Sequence, residues 1–162
     1  MQCSKIWPKI DRPCTWAFWQ AYREAAAKLL PELTITRLPV MVSRASPWPR
    51  FGVGTLPEGV LLEHKPRQGR VDLSISNQSA EQLRAATLGL VPLGVQVARA
   101  GGSAALRLAV PRVDHLRPFV EQEGEVLAAL AAVESLYAFG RSLPPDALPE
   151  KGRFGRPTWP EP

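Results

Sequence analysis

The stretch from Gly59 to Ser76, GVLLEHKPRQGRVDLSIS, limits the possible folds more than any other part of the chain. Its second half alternates apolar with polar residues, which is typical of a strand with one buried face. Two such runs joined by the short PRQG turn predict an antiparallel hairpin. If the turn closes symmetrically, the cross-strand pairs are Lys65 with Arg70, Glu63 with Asp72 and Leu62 with Leu73.

This register assigns the two faces of the hairpin different roles. Leu62 and Leu73 are expected in the core. The charged residues share the opposite face, which we expect to be a solvated surface where substitutions have little effect on stability. They are Glu63, Lys65, Arg70 and Asp72.

Glu63 and Lys65 also spell ExK, the second half of the metal-binding pattern of many nucleases. Glu63 and Asp72 facing each other could hold a divalent cation, with Lys65 beside it. The full nuclease pattern, however, places an aspartate before the ExK strand, whereas here Asp72 follows it. The order of the residues therefore favours an ordinary hairpin, and a reduced metal-dependent nuclease remains the third hypothesis.

The elements around the hairpin predict an α+β fold with a single antiparallel sheet of about five strands and helices packed on it. Thr15 is expected to cap a first helix that ends near Leu30, and a strand is expected over residues 50–56. Ser79 opens a capping box before a second helix. A second hairpin follows over residues 95–110, and a last helix is expected over about 121–141, with its apolar stripe at Val126, Leu130, Val133 and Tyr137.

Length and composition predict one domain in a chain of 162 residues. We expect an N-terminal leader at 1–14, the domain at 15–143 and a flexible tail rich in proline and glycine at 144–162. The apolar runs fall short of the roughly 20 residues needed to span a bilayer, and the N-terminus does not resemble a secretory signal. A cytoplasmic location without membrane contact is therefore expected.

Cofactor and catalytic motifs are not recognisable. Cys3 and Cys14 lack the further ligands that a zinc site requires, so no cofactor is predicted. His64 and His115 have no nucleophile motif beside them, which favours structural roles. The sequence thus leaves enzymatic activity uncertain, with a non-catalytic protein favoured.

The charge distribution suggests a partner. The formal net charge is +5 and the pI is about 9.7, an excess that permits binding to phosphates without requiring it. Two local clusters of basic residues are the candidate nucleic-acid contacts. They are Lys65, Arg67 and Arg70 at the hairpin and Lys151, Arg153 and Arg156 in the tail.

The order of elements, together with FWQAYREAAAKLL at the start and EVLAALAAVESLYAFGRSL at the end, resembles a bacterial domain of unknown function found in nuclease-associated and restriction-like proteins. That resemblance implies a binding or interaction module, accessory to a bacterial DNA-processing or defence system. The same order also resembles the type III secretion chaperones, which implies a homodimer that binds a polypeptide. We therefore expect nucleic acid or a protein as the partner, with the chaperone-like dimer as the alternative.

Overall fold

One antiparallel sheet and three α-helices make up the part of the chain that the computed structural model describes, residues 12–33, 35–37, 49–52 and 54–149. The helices are α1 Arg12–Leu29, α2 Ala80–Thr87 and α3 Glu123–Arg141. The strands are β1 Ile35–Arg37, β2 Arg50–Phe51, β3 Val60–Lys65, β4 Arg70–Ser76, β5 Gln96–Ala100 and β6 Ser103–Ala109. The strand order is β1-β2-β3-β4-β6-β5, so the predicted α+β class is confirmed, with six strands instead of about five.

The β3–β4 hairpin has the register that the sequence predicted. Lys65 lies opposite Arg70, and the two leucines of the predicted core pair also face each other. The PRQG turn forms a single turn of 3-10 helix, Pro66–Gln68. Gly69 ends it with φ of 69°, a left-handed conformation that glycine adopts without strain.

The strand predicted over residues 50–56 was wrong in length, since β2 ends at Phe51. Gly52 and Gly54 follow with φ of 69° and 91°, which extended strands do not allow. The chain turns there instead, and the hydroxyl of Thr55 donates to the carbonyl of Gly52 at 2.9 Å.

All three helices lie on the face of the sheet that carries Leu62 and Leu73, both fully buried. The helix α3 approaches β4 closely at Gly140, where an added Cβ would lie 3.1 Å from Cδ1 of Leu73. The predicted apolar stripe of α3 is buried, with Val126, Leu130, Val133 and Tyr137 at most 9% exposed. The apolar core therefore lies on one side of the sheet.

The helix boundaries agree with the sequence signals to within a few residues. Ser79 caps α2 as predicted, since its hydroxyl accepts from the backbone N–H of Gln82 at 3.0 Å. The side chain of Gln82 does not complete the capping box but donates to the carbonyl of Asp146 at 3.3 Å. The helix α1 begins at Arg12, three residues before the predicted cap at Thr15.

Residues 144–149 contact the domain, in contrast to the flexible tail that was predicted to begin there. They form a 3-10 turn, Pro145–Ala147, beside α2, and Ala147 is fully buried. The buried side chain of Gln78 donates to the carbonyls of Asp146 at 3.0 Å and Leu148 at 3.1 Å. The remainder of the predicted tail, 150–162, and most of the predicted leader lie outside the described residues.

No helix among the described residues is long and apolar enough to cross a bilayer.

Candidate nucleic-acid interface

The charged pair Glu63 and Asp72 lies on the sheet face opposite the helices, as the register requires. The expectation that this face is solvated was wrong for both residues, which are 7% and 1% exposed. A buried carboxylate needs opposite charges and hydrogen bonds to replace its lost hydration. Both have such partners, which the single-strand pattern did not reveal.

Asp72 is the centre of a cationic cluster. Its Oδ1 accepts from Nε of Arg107 at 2.9 Å, and its Oδ2 lies 3.3 Å from a terminal nitrogen of the same guanidinium. Nζ of Lys65 lies 3.1 Å from Oδ2, and Nε of Arg70 lies 3.4 Å from it as an ion pair without hydrogen-bond geometry. Three cations thus converge on one buried carboxylate.

Glu63 forms a separate ion pair at the β2 side of the same face. Arg50 lies directly opposite it on β2 and donates through a terminal nitrogen at 3.0 Å and through Nε at 3.3 Å. The side chains of Arg50 and Glu63 are 25% and 10% exposed, so this pair is partly buried. The formal charges of Arg50 and Glu63 cancel within this pair.

The metal-site hypothesis on Glu63 and Asp72 gains no support from this arrangement. Both carboxylates face arginine or lysine nitrogens, which would repel a divalent cation. Within the described ranges, no group of three or more histidine, cysteine, aspartate or glutamate side chains is placed to hold a metal ion.

The end of the hairpin gains a further cation from a distant segment. The backbone N–H of Val110 donates to the carbonyl of Gly69, and that of Val113 donates to the carbonyl of Pro66, both at 2.9 Å. These bonds hold the chain after β6 along the 3-10 turn. Arg112 consequently lies over Gly69, with Cγ 2.9 Å from where a Cβ on that glycine would be.

We call the set formed by these residues the basic end: Lys65, Arg67, Arg70, Arg107 and Arg112. Arg67 and Arg112 are exposed, whereas Lys65, Arg70 and Arg107 retain 14%, 28% and 27% side-chain exposure beside Asp72. The inner three are fixed by the carboxylate and the outer two extend toward solvent. Such a surface can bind a multiply charged anion without first ordering all its side chains.

The structure brings together one of the two predicted basic clusters, Lys65, Arg67 and Arg70. The other, Lys151, Arg153 and Arg156, lies outside the described residues. Sequence reasoning missed Arg107 and Arg112. Arg107 was visible as a polar residue on a predicted strand, but only the pairing of β4 with β6 places it opposite Asp72.

The two histidines occupy structural positions, in agreement with the sequence. His64 is fully buried on the helix side, where Nδ1 lies 2.7 Å from the hydroxyl of Tyr22 and the rings stack at 5.8 Å. Burial lowers the pKa of His64 from 6.5 to about 3, so the ring is neutral at pH 7. His115 stacks on Trp19, and burial, assisted by Arg67 and opposed by Asp114, lowers its pKa.

Comparison with protein-family models, with characterised proteins and with solved structures gave no match to this chain. The geometry of the basic end is therefore the guide to the function of this protein.

Proposed function

We propose that this protein is a non-catalytic binding module that contacts the phosphate backbone of nucleic acid through the basic end. The observation that supports the proposal is the convergence of Lys65, Arg70 and Arg107 on Asp72, beside the exposed Arg67 and Arg112. Three of these five cations contact Asp72, and the five together carry more positive charge than that one carboxylate can balance. A phosphate backbone, with its regularly repeated negative charges, is the complementary partner.

The arrangement favours recognition of phosphates over recognition of base sequence. Phosphate contacts position a protein on nucleic acid, whereas sequence is read by side chains that reach base edges in a groove. Arg67 and Arg112 lie on a short turn and on the chain that runs along it, not on a helix that could enter a groove. Binding should therefore be weak, insensitive to sequence and strongly reduced by salt.

The resemblance noted in the sequence is consistent with this role, because it implies an accessory module in a DNA-processing or defence system. The inner cations support the exposed pair by fixing the end of the hairpin. Their own accessibility is limited, so Arg67 and Arg112 are expected to make most of the direct contacts. Lys151, Arg153 and Arg156 are proposed as further contacts from the tail.

The direct test is charge reversal at the two exposed arginines, Arg67→Glu with Arg112→Glu. Arg70 is unsuitable, since glutamate there would face the buried Asp72 and disturb folding. The matched control reverses Arg23 and Arg84, which are exposed on α1 and α2 and change the net charge equally. Fluorescence anisotropy with a labelled duplex at low salt measures the affinity of all three proteins.

We expect the Arg67/Arg112 variant to bind at least about tenfold more weakly than wild type, which corresponds to about 1.4 kcal/mol. The Arg23/Arg84 control should lose much less, because it changes only the overall charge. Equal losses in the two variants would show that net charge alone drives binding. No binding by the wild type at low salt would refute the proposal.

A further inference from the structure

The strand β5, Gln96–Ala100, forms one end of the sheet and has a regular outer edge. It pairs with β6 over five consecutive residues without a bulge and contains no proline. None of the described strands pairs with its other side. At the opposite end of the sheet, the described part of β1 has three residues and an irregular register. An unpaired, regular strand edge is a template for pairing with another chain.

Three exposed leucines precede this edge. Leu88, Leu90 and Leu93 lie in the connection between α2 and β5 and are 79%, 57% and 101% exposed. Single exposed leucines are ordinary on protein surfaces. Three within six residues, just before a strand whose outer edge no described strand covers, give this connection an apolar surface of the kind that interfaces cover.

The opposite end of β5 lies beside a depression in the surface. A depression of about 260 Å³ lies between the start of α2 and the β5–β6 turn. Small side chains and glycines make up most of its lining, among them Ala80, Gly101 and Gly102. Exposed leucines therefore lie near one end of β5, and the depression lies near the other.

We propose that two copies of this chain associate through β5 in an antiparallel pair, with a twofold axis at Ala98. In this register Gln96 lies opposite Ala100 of the second copy and Val97 lies opposite its Arg99. A twofold axis brings each leucine segment next to the depression of the other copy, so one interaction is made twice. The two sheets then continue into one, and α2 of each copy lies on the same side.

The charges of the edge are compatible with self-association. Arg99 lies 3.7 Å from Glu81, and both side chains are at least 75% exposed. Arg99 would face Val97 of the second copy and not another arginine, so no like charges are opposed across the strands. The Glu81–Arg99 pairs of the two copies would lie side by side and could exchange partners. Association through β5 does not require nucleic-acid binding at the basic end.

Sedimentation velocity over a range of concentrations tests the association. The wild type should approach twice the chain mass of 17.8 kDa at tens of micromolar. Leu90→Glu with Leu93→Glu should remain at the monomer mass, because it places charges in the apolar contact. The matched control is Val120→Glu, which alters another highly exposed apolar residue and should leave the dimer intact. Circular dichroism verifies that each variant is folded.

A cysteine at the proposed axis tests the register without depending on an interface mutation. In a background with Cys3→Ser and Cys14→Ser, Ala98→Cys should form a disulfide-linked dimer on mild oxidation, since facing residues of antiparallel strands lie within disulfide range. Ala85→Cys, exposed on α2, is the control and should crosslink poorly. A monomeric wild type, a dimeric Leu90/Leu93 variant, or equal crosslinking at both cysteines would overturn the proposal.

Discussion

Adjacent residue pairs of the β3–β4 hairpin show how differently the two faces of the sheet are built. Leu62 and Leu73 are buried under helices, whereas the next pair, Glu63 and Asp72, points to the other face and is almost as inaccessible. The leucines are stabilised by removal of apolar surface from water. Asp72 is stabilised only as long as its three cations remain in place. Burial therefore has a different physical basis on each side of one hairpin.

The largest expected effect concerns the charged face. Asp72→Asn removes the charge that Lys65, Arg70 and Arg107 surround and should lower the unfolding free energy by about 3–5 kcal/mol. Urea denaturation measures it. Glu81→Gln is the control, because that glutamate forms an exposed ion pair at 3.7 Å and should matter by no more than about 0.5 kcal/mol. Similar small losses for both variants would mean that Asp72 belongs to an ordinary surface.

A cavity created on the apolar face should lower the free energy of unfolding. Leu73→Ala is expected to cost about 2–5 kcal/mol, because this fully buried side chain packs beneath α3 at Gly140. Leu61→Ala on β3 is a suitable control, since Leu61 is 36% exposed on the other face. Urea denaturation measures both variants. Equal losses of unfolding free energy for Leu61→Ala and Leu73→Ala would contradict the assignment of the core to the helix side.

The pH dependence of stability tests the burial of His64 on the helix side of the sheet. Because the pKa of His64 is about 3 in the fold and near 6.5 in the unfolded chain, only the unfolded chain gains that proton as pH falls below 6.5. The wild type should therefore lose about 1–2 kcal/mol more than His64→Gln between about pH 7 and about pH 5.

The His115→Gln variant is the control for the pH experiment, because it retains His64 and should keep most of the wild-type dependence. Identical pH profiles for the wild type and His64→Gln would show that His64 is accessible to protons in the fold.

The smallest effect is expected at the second acid of the charged face. Glu63→Gln should cost about 1 kcal/mol, because Glu63 is paired with the partly exposed Arg50 and the glutamine can keep one hydrogen bond. Thermal denaturation of Glu63→Gln and Asp72→Asn under the same conditions measures the difference between their losses of stability. A loss as large as that of Asp72→Asn would mean that the two carboxylates form one buried network.

Sequence reasoning was most successful where local rules apply. The hairpin register was predictable because the PRQG turn and the alternation in 70–76 allow few alternatives. The cap at Ser79 was predictable from its spacing to Gln82. In contrast, the strand predicted over residues 50–56 is shorter in the structure, because Gly52 and Gly54 have positive φ angles. The alternation of apolar and polar side chains does not reveal such angles.

The candidate site was less predictable because its parts come from distant segments. Asp72 appeared exposed when only β3 and β4 were considered, since its partner Arg107 belongs to β6, which pairs with β4 across an intervening helix and strand. Arg112 is brought to the hairpin by the backbone bonds of Val110 and Val113. Neither interaction has a signal in the local sequence pattern.

The salt dependence of duplex binding is the most direct test of phosphate contact at the basic end. A logarithmic plot of the affinity of the wild type against salt concentration should be linear and fall with increasing salt, because each phosphate contact releases counterions. Arg67→Ala with Arg112→Ala should reduce the magnitude of that slope by about 2, one contact for each arginine. A wild-type affinity that is independent of salt, or an unchanged slope in the double variant, would contradict the account.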